Sequence, residues 1–412
     1  MRIDIAVVGG GSAGIAASVS AARRGASVLL IERLGMLGGM GSAANVHTVC
    51  GLYRLRRDHE EPLVPANEGF PMEFSCRLLG SGAAIGPVRI GKLDVLLHTP
   101  ALFAHVADMI TGEQPGLMVM LHSEVAGVTR DKGRISSLEI LCRGRASKIH
   151  PSVVIDTTGD AEVAVLAEAR TMKESLEKLQ RPAYVFGLGG LEPEALTDAG
   201  KISIARAISY GVSNGKLPSG ALGVAFRTGV HTGDGWGTID FTAEGFDPEK
   251  SECLSLIEAE GRRLSVIITG FLAREMEGFR SARITSFPAR AGIRESRRVR
   301  GLYELTHGDI LSGARFEDEV ASSSWPIELR ETSRGPRFRF PEENKSCGIP
   351  LRSLMSADIQ NLLVAGRCIS CTHEAQAAIR VMGTCMATGE AAGRSAVTMI
   401  SAPSNSPAAV QS

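Results

Sequence analysis

Apolar positions along this chain fall into short continuous runs and longer helical stretches, and the first thirty residues show both. Ile5-Ala6-Val7-Val8 enters Gly9-Gly10-Gly11-Ser12-Ala13-Gly14, passes through an Ala-rich segment and ends in Ser27-Val28-Leu29-Leu30-Ile31-Glu32. The pattern predicts a strand, a glycine turn, a helix and a second strand closed by an acid. Leu93 to Ile110 has helical spacing, and Leu117 to Ile155 reads as short strands divided by Arg130-Asp131-Lys132-Gly133 and Arg143-Gly144-Arg145, a β-meander. The meander delivers Val153-Val154-Ile155-Asp156-Thr157-Thr158-Gly159-Asp160, another strand with a glycine turn, followed by helical Ala161 to Ala169. Near the C-terminus Asn361-Leu362-Leu363-Val364-Ala365-Gly366-Arg367 repeats the buried strand and glycine, and His373 to Ser395 reads as one long helix rich in Ala, Met and Gly.

Between the second and third of these units, Glu174 to Arg290 changes to mixed helix and strand, with Gly-rich turns expected at Gly187-Leu188-Gly189-Gly190 and Gly233-Asp234-Gly235-Trp236-Gly237. The first of these glycine runs lacks a strand before it and a helix after it, so it is not read as a second nucleotide site. The expected fold class is α/β: a three-layer, Rossmann-like FAD/NAD(P)-binding domain with an inserted mixed α+β substrate or cap lobe. Its segments would be 1–173 and 291–400 for the nucleotide-binding domain and 174–290 for the lobe. The Ser-, Pro- and Ala-rich residues 401–412 would form a disordered tail.

A chain of 412 residues is long enough for more than one lobe, with room for a ligand between them. Lys plus Arg and Asp plus Glu both number 45, leaving no global field to attract a polyanion such as nucleic acid. A small-molecule substrate is the expected partner, with the electron donor or acceptor unknown and a homodimer possible. No apolar run reaches membrane-spanning length, and the chain opens directly on the nucleotide-binding strand, so a cytoplasmic protein is expected. Eight cysteines fit reduced thiols better than a disulfide scaffold. Cys368 and Cys371 form the one Cys-x-x-Cys pair and are read as structural, and no metal site is expected because no second Cys or His pair stands at ligand spacing.

The N-terminal unit carries specific chemistry. Gly9 permits a tight turn, Gly11 allows the backbone to approach a pyrophosphate, and Gly14 allows the helix to pack on the sheet with the diphosphate at its positive end. Glu32 stands where a carboxylate accepts ribose hydroxyls and repels a 2′-phosphate, which favours FAD or NAD over NADP.

On these segments the chain resembles the FAD-dependent oxidoreductases of the glutathione-reductase-like flavoprotein superfamily. The carriers are the first glycine unit with Glu32, Gly35-Met36-Leu37-Gly38-Gly39-Met40, the turn from Ile155 to Asp160, Gly292-Ile293-Arg294-Glu295-Ser296-Arg297-Arg298, and Asn361 to Ser370 continuing through Ile379-Arg380-Val381-Met382. The resemblance implies bound FAD, with the adenine end near Glu32 and the isoalloxazine near the C-terminal helix. Its contacts would come from Gly9, Gly11, Ser12, Ala13, Gly14, Glu32, Arg33, Gly38, Gly39, Met40, Thr158, Gly159, Asp160, Gly366, Arg367 and Met382. Many members of the superfamily place Asp where Arg367 stands, which leaves open the group that holds the ribityl hydroxyls.

Candidate catalytic residues are those expected near the ring. His47-Thr48-Val49 is similar to the His-Thr-Val of fumarate-reductase-type flavoproteins, some of which bond the histidine to the flavin; the other reading is a buried histidine making ordinary hydrogen bonds. Cys50 is a candidate flavin contact or thiol nucleophile, with a small buried packing residue as the other reading. His373 follows Thr372, a candidate N-cap, and could be a general acid or base at a helix end that stabilises charge on the ring. In a strand, Arg294 and Arg298 would share one face with Ser296, with Glu295 and Arg297 on the other, and an inward Arg294 could clamp a carboxylate. Arg380 has the same two readings, clamp or ion pair. The activity expected is a FAD-dependent oxidoreductase or dehydrogenase exchanging hydride between a small organic substrate and flavin N5. The alternatives are an NAD(P)H-dependent flavin monooxygenase and a noncatalytic electron-transfer subunit.

Overall fold

The structure, a computed structural model, describes residues 1–242, 244–332 and 335–401. The expected tail lies outside them apart from Ser401, which closes the last helix.

The continuous apolar runs form the centre of a mixed sheet. Arg2–Val8 pairs in parallel with Val28–Ile31 on one side and with Arg145–Asp156 on the other. Leu117–Met120 and Leu362–Val364 extend the parallel set at its two ends. Such strands are covered on both faces, so their residues alternate little: Ile5, Ala6, Val7, Leu29, Leu30, Val154 and Ile155 are all fully buried. The register aligns Val8 with Ile31 and with Asp156, and Val364 with Asp156, so the carboxyl ends of four strands meet at one edge. Glu124–Asp131 and Arg134–Cys142 complete the antiparallel meander on the long strand Arg145–Asp156. The helix Ser12–Ala22 packs against the last helix, Met382–Ser401. Helix pair, parallel sheet and meander are the three layers of a Rossmann-like α/β fold.

A second apolar core gathers around a four-stranded antiparallel sheet, in the order Val224–Thr228, Gly235–Asp240, Ala183–Gly189, Arg283–Ser286. Helices Asp198–Ser213 and Ser251–Glu275 belong to it. Tyr184, Phe186, Phe226 and Ile239 point into this core with Ile204, Ile208, Leu264 and Phe271. By period-two alternation the other sheet face carries Ala183, Val185, Ala225, Arg227, Thr238 and Asp240.

Four local expectations are corrected. Leu93–His98 is a strand, and the helix begins only at Pro100, because a residue before proline avoids the helical region. Gly187 and Gly189 lie inside a buried strand, and Gly235 to Gly237 open another. The segment from Gly292 to Arg297 is irregular, with only Arg298–Val299 in a strand. The long C-terminal helix is two: His373–Ile379, then a break at Arg380 and Val381, then Met382–Ser401.

Candidate active site

At the carboxyl edge of the parallel strands a cleft runs from Glu32 to Met382. It is lined by Gly9, Gly11, Ser12, Ala13, Glu32, Arg33, Gly39, Met40, Thr158, Gly159, Gly366, Arg367 and Met382, all expected from sequence, and also by Arg290 and Arg380. Its floor is built by close approach. Gly9 has φ of 104°, and a Cβ on Gly14 would stand 1.8 Å from the Gly9 carbonyl oxygen. A Cβ on Gly11, by contrast, meets nothing within 4 Å. Gly11 caps the helix Ser12–Ala22 with no side-chain hydrogen bond, so the first amides open onto the cleft, a ready site for a diphosphate. Gly38 donates its amide to the Gly10 carbonyl at 2.8 Å, which brings Gly39 and Met40 over this turn.

The Glu32 carboxylate is buried and fixed by two backbone donors, Gly10 N–H at 2.6 Å and Leu34 N–H at 2.8 Å. Each oxygen keeps a lone pair for a ribose hydroxyl. Farther along, Arg367 is buried and bonds Asp160 at 2.7 Å. Burial pushes Asp160 up, but Arg367, Arg290 and Arg33 outweigh it and hold the carboxyl at about 2. Arg367 Nη1 is a buried donor with no partner among the described residues, which a ribityl or phosphate oxygen would satisfy. Arg33 pairs at the surface with Glu162 at 2.8 Å.

A second cavity of about 510 Å³ adjoins this cleft and shares Met40, Arg367, Arg380 and Met382 with it. The second sheet roofs it with Ala183, Val185, Ala225, Arg227, Thr238 and Asp240. His47, Cys50, Leu93, Val95, Arg294, Trp325, Glu328, Arg330 and Val381 supply other walls. Asp240 holds Arg294 at 2.7 Å and Arg330 at 2.9 Å, and Glu328 holds Arg330 at 2.8 Å. Arg294 also donates to the Arg181 carbonyl, so it lines the cavity as a paired cation.

The candidate catalytic residues separate here. His47 stacks on Trp236 at 5.2 Å, and neither ring nitrogen makes a well-formed hydrogen bond among the described residues, although the Asn45 backbone lies close enough to act on the ring. Burial, with His98 and Arg227 nearby, lowers its pKa to about 3 and keeps the ring neutral. Burial pushes the Cys50 thiol up to about 12, which disfavours the thiolate. His373 touches neither cavity. It lies between Glu295 at 2.8 Å and Glu331 at 3.1 Å, and Arg298 bonds Glu295 at 2.6 Å. Burial disfavours its charge, but the two carboxylates win and its pKa is raised. Thr372 does cap its helix, accepting from Ala375 N–H. The helix whose start lines the cleft, however, is the next one, at Met382. Cys368 and Cys371 are fully buried with thiols pushed up, and all eight cysteines are free.

Arg227, Asp240, Glu328, Arg330 and Arg290 escaped the sequence reading. The alternation Trp236-x-Thr238-x-Asp240 would have placed Asp240 on an inward face, had Gly233 to Gly237 not been read as a turn.

A glycine-floored cleft with a buried ribose acceptor, opening into a second cavity, defines a dinucleotide-dependent enzyme of the two-lobed flavoprotein kind. Residues 4–411 match the family described as FAD dependent oxidoreductase, and the protein belongs to that family and binds FAD. Among solved structures the chain is similar to a geranylgeranyl bacteriochlorophyll reductase-like protein from Thermoplasma acidophilum, with 13% identity over 96% of this chain and 77% of that one and a TM-score of 0.47. It is similar also to the flavin-dependent brominase Bmp2, with 11% identity over 98% and 80% of the two chains and a TM-score of 0.48. A third is the p-nitrophenol 4-monooxygenase PnpA from Pseudomonas putida DLL-E4, with 12% identity over 74% and 71% and a TM-score of 0.41. No curated protein matches. Among the described residues no helix is long and apolar enough to cross a membrane.

Proposed function

We propose that the protein is a dehydrogenase that oxidises a small organic molecule held in the second cavity. The observation that carries this reading is the junction: Met40, Arg367, Arg380 and Met382 line both spaces, so a molecule in the cavity would lie against the ring end of the cofactor cleft. When bound, FAD would supply a two-electron acceptor for hydride leaving a carbon centre. The chain's own part is to bind, orient and exclude water. Glu32 would hold the adenosine ribose, the amides after Gly11 the diphosphate, and Arg367 with Asp160 the ribityl chain. The sheet Val224–Thr228, Gly235–Asp240, Ala183–Gly189 would act as a roof that sets specificity.

Anaerobic titration of the purified yellow protein with NADH and then NADPH tests this. The expected result is that the oxidised-flavin absorbance stays unchanged, because the donor is an organic substrate. Rapid bleaching by a nicotinamide would overturn the reading in favour of a reductase or monooxygenase.

A further inference from the structure

The walls of the second cavity do not balance in charge. Arg294, Arg330 and Arg380 share the cavity wall with two carboxylates, Asp240 and Glu328, while Glu295, which also acts on Arg380, lies outside the lining and is engaged by Arg298 and His373. Arg227, on the edge strand Val224–Thr228, has no ion pair and no hydrogen bond among the described residues, yet it lines the cavity and its charge is felt at His47 and Cys50. Lys92 stands at the rim over the Phe340 ring, 5.1 Å from its centroid. Positive charge is thus in surplus around a space whose other walls are Leu93, Val95, Val185, Trp325, Phe338 and Val381.

Two polar groups inside are also unpartnered. His47 is 4% exposed and lines the cavity, and neither ring nitrogen makes a well-formed hydrogen bond among the described residues, the Asn45 backbone being the one group in reach that acts on it. Arg380 donates to Gln180 Oε1 and to the Glu328 carbonyl, but its Nε–H is buried without an acceptor. Buried donors of this sort are ordinarily satisfied, and among the described residues nothing makes a well-formed bond to them. An acceptor-rich anion does so and neutralises the surplus, and an apolar body fits the remaining walls.

We propose that the cavity takes an organic carboxylate with an apolar body, its carboxylate paired with Arg227 and its polar atoms in reach of His47 and Arg380. This rests on the cavity being the substrate site of the flavoenzyme. Arg227 is the residue on which the acid is selected, because Arg294 and Arg330 are already engaged by Asp240 and Glu328. Arg380 and His47 hold the ligand from the cofactor side and the roof side.

The test uses the FAD-loaded protein and matched pairs of acid and amide: benzoate and benzamide, phenylacetate and phenylacetamide, hexanoate and hexanamide, octanoate and octanamide. Binding is read by calorimetry and by perturbation of the flavin spectrum. At least one acid is expected to bind about tenfold or more tightly than its amide, a difference of about 1.4 kcal/mol. Arg227→Met should abolish that preference, while Arg206→Met, on the solvent face of the helix Asp198–Ser213, should keep it. FAD content and thermal unfolding confirm that both variants are folded, as expected for two exposed side chains. The proposal is overturned if no acid of the panel binds at about 10 mM, if amides bind as well as acids, or if Arg227→Met leaves the preference intact. Calorimetry makes this outcome separate from the redox reading: nicotinamide bleaching would remove the dehydrogenase assignment and leave acid selection standing.

Discussion

Gly14 and Glu32 carry the cofactor floor in different ways. At Gly14 the constraint is space: a methyl group would meet the Gly9 carbonyl oxygen at 1.8 Å and Thr157 Oγ1 at 2.8 Å, both parts of the packed turn. Gly14→Ala is expected to lose bound FAD on purification and to destabilise the fold by roughly 3 kcal/mol or more, read by flavin absorbance and urea unfolding. A yellow variant of unchanged stability would show that the turn yields. At Glu32 the constraint is hydrogen-bond direction. Both carboxylate oxygens accept backbone N–H groups, so Glu32→Gln must aim an NH₂ at one of those donors. FAD affinity should fall about tenfold to a hundredfold with little change in secondary structure, measured by flavin fluorescence on titration into apoprotein.

Two helices meet at the next scale through glycines. A Cβ on Gly389 would lie 2.1 Å from the Ala13 carbonyl oxygen, and one on Gly393 would lie 2.3 Å from that of Ala17, so the last helix rests directly on the backbone of the first. This contact sets where Met382, the start of the last helix, stands over the cleft. Gly389→Ala should push the helices apart, lower stability by roughly 2 kcal/mol and weaken FAD retention, whereas the same change at Gly270, whose Cβ would meet only Arg274 Nη1 at 3.6 Å, should do neither. Equal effects at the two sites would mean that the helix contact is not what holds the cleft. The strand–glycine–helix units were legible in sequence because their glycines and apolar runs are local signals. Leu93–His98 was not, because its run Leu93-Asp94-Val95-Leu96-Leu97-His98 merges in composition with the helix that follows. The break at Arg380 was hidden for a related reason: His373 to Ser395 has helical composition throughout, and buried residues flank the break on both sides. His373 therefore looked like a cofactor residue, while Glu295, Glu331 and Arg298, which hold it elsewhere, come from distant stretches of chain. The cavity network of Asp240, Glu328, Arg330 and Arg227 is likewise a product of tertiary approach, with no spacing to announce it.

Over the whole molecule the histidines oppose one another in acid. Burial lowers His47 to about 3 and His98 to about 4, so each binds its proton more readily unfolded than folded. Their folded pKa values lie below the unfolded value near 6.5, and the stability held above that value is lost as pH falls from it toward 3, at up to about 1.4 kcal/mol per pH unit for each group. His373 has the opposite sign. Its pKa is raised by Glu295 and Glu331, so its contribution is complete below its unfolded pKa and disappears as pH rises through the folded one. Urea unfolding across pH 4 to 8 separates the two. His47→Phe removes no well-formed hydrogen bond and keeps a ring against Trp236, so it should flatten the acid limb below pH 6.5 by about one group's slope. His373→Gln should cost most on the acid side, and the gap to the parent should narrow as pH climbs. Parallel curves for parent and His47→Phe below pH 6.5 would mean that His47 titrates as in water and that burial does not hold its ring neutral.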